Sequence, residues 1–265
     1  MKNTTIYAFA LMMLTVACQK NINVEIPGFT TTEAKGPVTE KSYDMTFDKV
    51  EVSQSIEAKV IKAEKERVII YAPESLHDRI LVDLSGGKLH IHFKPGINIS
   101  SGKVRAEIYA KDFTELEANS SATIEVSDKF TQDKTTLKAK SSGTISGNME
   151  ANEFSVDVSS SGSVKGQIWA VNLDVGASSS GFAELSGKAK NVKMDASSSG
   201  SISAKNLAAE NADLEASSSG SIAVSVSGQL ETEANSSGSI SVIKNGVVTI
   251  VKQKEGSSGN ISIQE

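Results

Sequence analysis

The chain has 265 residues, of which 38% are hydrophobic and only 5% aromatic, and it carries a formal net charge of -5. That length suits one large domain or two small ones, with a core built mostly from aliphatic side chains. No basic field is available to hold phosphate backbones, so nucleic acid is not expected as a partner.

The first residues read as a targeting segment. Lys2 supplies a positive start, and Ile6 to Val16 form an apolar run that is too short to span a bilayer. Cys18, the only cysteine, follows Leu14-Thr15-Val16-Ala17, which resembles a bacterial lipoprotein signal whose cysteine becomes the lipidated first residue. That pattern prefers leucine three places before the cysteine, where this chain has Thr15. A plain secretory signal is the alternative, and both imply export. The expectation is a signal peptide over 1–17, lipidation at Cys18 with attachment to the membrane through acyl chains, and no disulfide. Residues 18–40 have little apolar periodicity and read as a flexible tether.

From Tyr43 to Phe93, "FDKVEVSQSIEAKVIKAEKERVIIYA" and "RILVDLSGGKLHIHF" alternate apolar and polar residues, the second around a Ser-Gly-Gly turn. Period-2 alternation with such a turn predicts β-hairpins with one wet face. His90 and His92 then lie side by side on the face opposite Leu89, Ile91 and Phe93. With no third ligand nearby, they read as a solvated pair and no metal site is expected.

From Val104 onward a repeat takes over. Gly143, Gly162, Gly181, Gly200, Gly220, Gly238 and Gly259 are 18 to 21 residues apart, each preceded by two serines, and Ala122 stands in for the first glycine. A repeat of this length is one supersecondary unit whose apolar face must be covered by stacking. Two places after the glycine come Ile145, Val164, Ala183, Ile202 and Ile222, while Ala139, Val158, Ala177 and Ala196 stand four places before. All share one parity, the mark of strands with one face inward. The opposite parity is charged, with Asp157, Asp195, Glu215 and Glu233 in one column and Asp174, Lys193 and Asp213 in another. Gln253 and Glu255 break the last repeat, as a cap would. Each corner is expected to place its glycine at positive φ, with the serine hydroxyls bonding locally and along the stack.

The order of these parts, from "FDKVEVSQSIEAKV" through "LSGGKLHIHF" and "VRAEIYAKDFTELEANSSATIEV" to the glycine-serine repeats, resembles the bacterial family described as "putative auto-transporter adhesin, head GIN domain" over about Tyr43 to Glu265. The resemblance implies an all-β fold, a single-chain right-handed parallel β-helix with coils of about 20 residues. N-terminal hairpins at 41–103 would precede the repeats at 104–265. It also implies export, surface exposure and a role in adhesion. The family often places an aspartate after Gly-Ser, where this chain has Gly143-Thr144-Ile145 and Gly200-Ser201-Ile202, so no function is carried over from that aspartate.

Three function classes follow. In the first, an outer-membrane lipoprotein binds a surface glycan or protein through the helix faces, with Phe182 and the only tryptophan, Trp169, as candidate ligand contacts. In the second, the chain is an envelope scaffold or spacer, in which the acidic columns could take up weak structural calcium. The third, a polysaccharide-active enzyme, finds no singled-out carboxylate pair, and His77, His90 and His92 stand away from the serine columns in sequence. No catalytic residue and no cofactor is expected.

Overall fold

The computed structural model describes residues 30–99 and 103–265, so Cys18 and the segment 1–17 lie outside the described residues. The N-terminal region contributes strands β1 (Thr30–Thr32), β2 (Val38–Asp44), β3 (Lys49–Ser53), β4 (Glu57–Lys62) and β5 (Arg67–Pro73). A 3-10 turn at Glu74–Arg79 leads to β6 (Ile80–Ser85), β7 (Lys88–Phe93), β8 (Ile97–Ile99) and β9 (Arg105–Ala110). After β10 (Glu115–Asn119) come five long strands: β11 (Thr123–Ala139), β12 (Thr144–Val158), β13 (Ser163–Ala177), β14 (Phe182–Ala196) and β15 (Ser201–Ala216). Shorter pieces finish the stack: β16 (Ser221–Val226), β17 (Gln229–Ala234), β18 (Ser239–Lys244), β19 (Thr249–Glu255) and β20 (Asn260–Gln264).

Each coil pairs in parallel with the next, one repeat further on. Ile145 stands beside Val164 and Val164 beside Ala183, while Val156, Val175 and Met194 form a second column. The architecture is a parallel β-solenoid of about 8 turns with coils of about 19 residues. Because like residues stack on like, the inward column from Ile124 to Ile240 is a continuous, buried aliphatic rib.

The expected hairpin at Ser85–Lys88 forms, with Val82 opposite Ile91 and Leu84 opposite Leu89 across an antiparallel pair. The preceding strands differ from expectation. β3 and β4 do not pair with each other: β3 lies parallel between β7 and β10, and β4 parallel between β9 and β11. They are two arms of one coil. The residues joining them, Gln54 and Ser55, have φ of 62° and 60°, the same left-handed pair found at the repeat corners, with Ile56 buried in the glycine column. The solenoid therefore reaches into the region read as hairpins, and the coil written first lies inside the one completed by β7 and β9. Strand pairing also begins within the segment read as tether, with β1 against β8 and β2 against β5.

The corners correct the sequence reading of the glycines. In each corner the two serines have positive φ, as with Ser198 at 49° and Ser199 at 63°, whereas the glycine that follows them does not. The Gly200 N–H closes the turn by donating to the Ser197 carbonyl at 2.8 Å, the arrangement of a type I′ turn. Glycine is needed for another reason. A Cβ on Gly181 would come within 2.5 Å of the Val158 carbonyl oxygen in the coil beneath, far inside van der Waals contact. The first corner is looser, since the Ala122 N–H reaches the Asn119 carbonyl at 3.2 Å.

The serine ladder also differs from expectation. The exposed serines are linked through the backbone, with the Ser142 N–H donating to the Ser160 carbonyl, Ser161 to Ser179 and Ser199 to Ser218. This satisfies backbone groups that a corner would otherwise leave unpaired. At the C-terminal end the Glu255 carboxylate turns to accept the Ile261 N–H at 2.9 Å.

Candidate functional site

Trp169 lies on β13 in an outward column between Glu150 and Lys188. It lines an open groove of about 740 Å³ where the outer coil surface meets the segment Asp112–Thr114. The Lys129 ammonium stands 5.1 Å from the centre of the indole ring and pairs with Glu150 at 2.8 Å, so ring, cation and carboxylate fix one another. Val171, 45% exposed, and Lys134, Lys188 and Lys190 complete this side. An aromatic plate edged by polar groups is suited to a sugar ring or an amphipathic side chain.

Phe182 is not part of this groove. Its register partners are Ser163 and Ser201, and Ser163 lies six positions before Trp169, roughly 20 Å of extended chain away. Ala183 points inward while Phe182 is 39% exposed, so the ring fills no gap beside Ala183. It stands alone in a column otherwise made of small polar residues, namely Thr144, Ser163, Ser201 and Ser221.

Past the groove an amide ladder climbs the corner of the solenoid. Asn172 Nδ2 donates to Glu153, Asn191 to Asn172 at 2.9 Å, and Asn211 to Asn191 at 3.1 Å. Beyond it stand the acidic columns. Burial, outweighing the nearby Lys193 ammonium, pushes the Asp195 carboxyl up, and Asp174 and Asp213 add to the effect. Glu233 is the opposite case: hydrogen bonds from Lys254, Asn235 and Lys252 bring it down to about 2. Among the described residues no group of three or more histidine, cysteine or acidic side chains is placed to hold a metal ion.

The two histidines are not a solvated pair. Their rings stack at 4.0 Å, and His92 is held by the Phe93 carbonyl and by Asp83. The fold brings His90 Nε2 to Ser53 Oγ at 3.1 Å, but Glu51 approaches that same nitrogen at 3.4 Å. A nucleophile relay needs the carboxylate on the other ring nitrogen, so this is not a catalytic triad. Beside it, Lys88 bridges Glu51 at 2.6 Å and Glu117 at 3.2 Å, and Lys140 reaches Glu117 at 3.1 Å.

This cluster sets an acid limit on stability. Burial holds the His90 imidazole below its usual value despite Glu51, so the unfolded chain takes up a proton that the folded one refuses. Stability on this account falls as the pH drops below about 6.5. Burial raises Glu117, yet hydrogen bonds from Lys140 and Lys88 outweigh it and hold the carboxyl below the ordinary range. Its contribution is complete above about 4.5 and is lost on further acidification. Glu117→Gln should cost about 2 kcal/mol at neutral pH and flatten the loss of melting temperature below pH 4.5, measured by thermal scans from pH 3 to 8.

Sequence reasoning missed a second cleft, of about 650 Å³, lined by Tyr71, Arg105, Glu107 and Lys59. One Glu107 oxygen accepts from Tyr109 at 2.9 Å and from Tyr71 at 3.3 Å, and Arg67 stacks 4.4 Å from the Tyr109 ring centre. The tyrosines come together only because β5 and β9 pair antiparallel, a pairing that alternation alone does not specify.

Similar folds are found among solved structures. A "putative adhesin" from Parabacteroides distasonis aligns with a TM-score of 0.80 at 18% identity, covering 88% of this chain and 100% of that one. A second, from Parabacteroides merdae, gives 0.76 at 17% identity, covering 88% and 98%. A "putative lipid binding protein" from P. distasonis gives 0.70 at 21% identity, covering 88% and 99%. At these identities the likeness establishes the fold. No curated protein matches the sequence. Among the described residues no helix is long and apolar enough to cross a membrane. The family model for "Putative auto-transporter adhesin, head GIN domain" matches residues 46–246, and the chain belongs to that family.

Proposed function

We propose that the chain is an exported, lipid-anchored protein of the cell envelope, displayed at the surface, that binds glycan or protein through the outer faces of its solenoid. The observation that carries this reading is the Trp169 groove. A half-buried tryptophan held by Lys129 and Glu150 and edged by an exposed valine offers a fixed aromatic plate on which a ligand can stack. The family's description as an adhesin supports the same class, and acylation at Cys18 would supply the attachment.

The test is an array of polysaccharides, mucins and matrix proteins probed with the chain starting after Cys18. Trp169→Ala should weaken a specific hit by about tenfold or more, the scale of removing one aromatic anchor. Phe182→Ala should leave it unchanged. Binding that is indifferent to Trp169 would place the site elsewhere. A blank array from a folded protein would favour the envelope spacer, a reading that the uniform serine-rich face around Ser201 and Ser221 supports.

A further inference from the structure

The groove's charge differs from that of the chain around it. The protein is acidic overall, and the neighbouring face carries Asp157, Asp174, Asp195 and Asp213 with Lys193 among them. The groove, in contrast, is edged by Lys134, Lys188 and Lys190, none of which has a carboxylate within 4.0 Å among the described residues. Of the acids on the same wall, Glu150 is paired with Lys129, Asp133 accepts from the Asn152 amide and keeps its charge, and Asp112 also lines the groove. Beyond the Lys129–Glu150 pair, three ammonium groups stand against two carboxylates, so the groove carries a small positive excess within an acidic chain.

Its cations stand on two levels of the stack, one on each side of Trp169. Lys188 lies one coil from Trp169 in the same column, Lys190 two positions further along β14, and Lys134 sits on β11, two coils from Trp169 on the other side and so three from Lys188. At about 4.8 Å per coil the lysines span roughly 14 Å along the solenoid axis, with the indole between them. An acidic face on one side and an exposed cationic row on the other confine a long anion to the groove. The apolar surface amounts to one indole and Val171, too little for the apolar centre of a protein interface, whereas stacking on one ring with charges at intervals suits a polymer of rings that carry acid groups.

We propose that the Trp169 groove takes an anionic polysaccharide, with a sugar ring on the indole and its carboxylate or sulfate groups on Lys134, Lys188 and Lys190. This rests on the adhesin reading and narrows it to one ligand class.

The experiment measures binding of the folded protein, residues 19–265, to hyaluronate, polygalacturonate, chondroitin sulfate, unmodified dextran and a DNA duplex, at low and physiological salt. The expected result is binding to the uronate or sulfated polymers, weakened by salt, with no binding to dextran. The double substitution Lys188→Gln, Lys190→Gln should reduce affinity about tenfold and lower the salt dependence, while Lys59→Gln on another face should change neither. Trp169→Ala should reduce affinity without altering the salt dependence. Trp169-dependent binding of dextran would overturn the anionic assignment and leave the adhesin reading standing. Binding of DNA as tight as that of the polysaccharides and indifferent to Trp169→Ala would show a non-specific cation row and overturn it. Failure of every glycan, with a protein hit that needs Trp169, would overturn it in favour of a protein ligand.

Discussion

Gly200→Ala is expected to lower the melting temperature by about 6 to 12 °C, and Gly200→Val by only modestly more. The reason is the first carbon, not its branching. A Cβ at this position would lie 2.7 Å from the Ser178 nitrogen and closer still to the Ala177 carbonyl oxygen, both backbone atoms of the coil beneath. Neither atom can swing aside as a side chain tip would. The coils must separate there, stretching bonds such as Ser201 N–H to the Gly181 carbonyl at 2.9 Å. Overpacking of this kind costs about 3 kcal/mol, and a domain of this size loses about 2 to 4 °C per kcal/mol. Ser199→Gly is the contrasting variant. Ser199 holds φ at 63°, a conformation that glycine adopts without steric cost, so this change should be neutral or slightly stabilising. Ser201→Val removes one hydroxyl contact from Ser221 and should cost less than Gly200→Ala. A neutral Gly200→Ala, read by thermal denaturation, would show that the coils have room for a Cβ and defeat this account.

These corners also show what a one-dimensional pattern carries and what it omits. Inward columns such as Ile145, Val164 and Ala183 were legible because the period of two within strands and the period of about 19 between coils both survive in the sequence. Sequence alone points to glycine for the positive φ because glycine tolerates it best, yet glycine is present for closeness to another coil, which is a property of the stack. The serines, the residues that bear the left-handed backbone, carried no special signal beyond their repetition. The β3–β4 turn was open to a correct reading: "VSQSIEA" repeats the corner phrase with Ile56 in the glycine place. Alternation alone does not distinguish a parallel arm from a hairpin arm, and it points to an antiparallel turn here. Trp169 stood out by being unique, and adding one repeat length to it gives Lys188. The groove's cations were therefore available from the same arithmetic that aligned the core. Tyr71, Tyr109 and the stacked histidines were not, since the pairings that assemble them cross between coils and hairpins.

Phe130→Ala is expected to cost about 3 to 5 kcal/mol and to change the groove as well as the core. The interval from Ala122 to Gly143 is 21 residues, longer than most, and the register between β11 and β12 shifts between Val126 and Phe130. The extra chain, Ser127-Asp128-Lys129, forms a bulge with two jobs. Asp128 accepts the Lys62 N–H at 2.8 Å, tying the bulge to β4, and Lys129 is carried out over Trp169. Phe130, next in line, turns inward against Phe113 with ring centres 4.9 Å apart, both rings buried. Around them the Phe113 N–H donates to Gln132 Oε1 at 2.7 Å, and Gln132 Nε2 donates to the buried Thr135 hydroxyl at 2.9 Å. Removing the Phe130 ring leaves a cavity beneath the bulge that anchors Lys129, so the indole loses its cation. Because Trp169 is the only tryptophan, its fluorescence reports this directly. The expected outcome is a shift in emission in the folded variant together with the lower melting temperature. Phe130→Leu, which keeps most of the volume, should cost under about 1.5 kcal/mol and leave the emission near that of the parent. Phe130→Ala with unaltered emission would show that the bulge is held by Asp128 alone, and that the groove is independent of the aromatic pair beneath it.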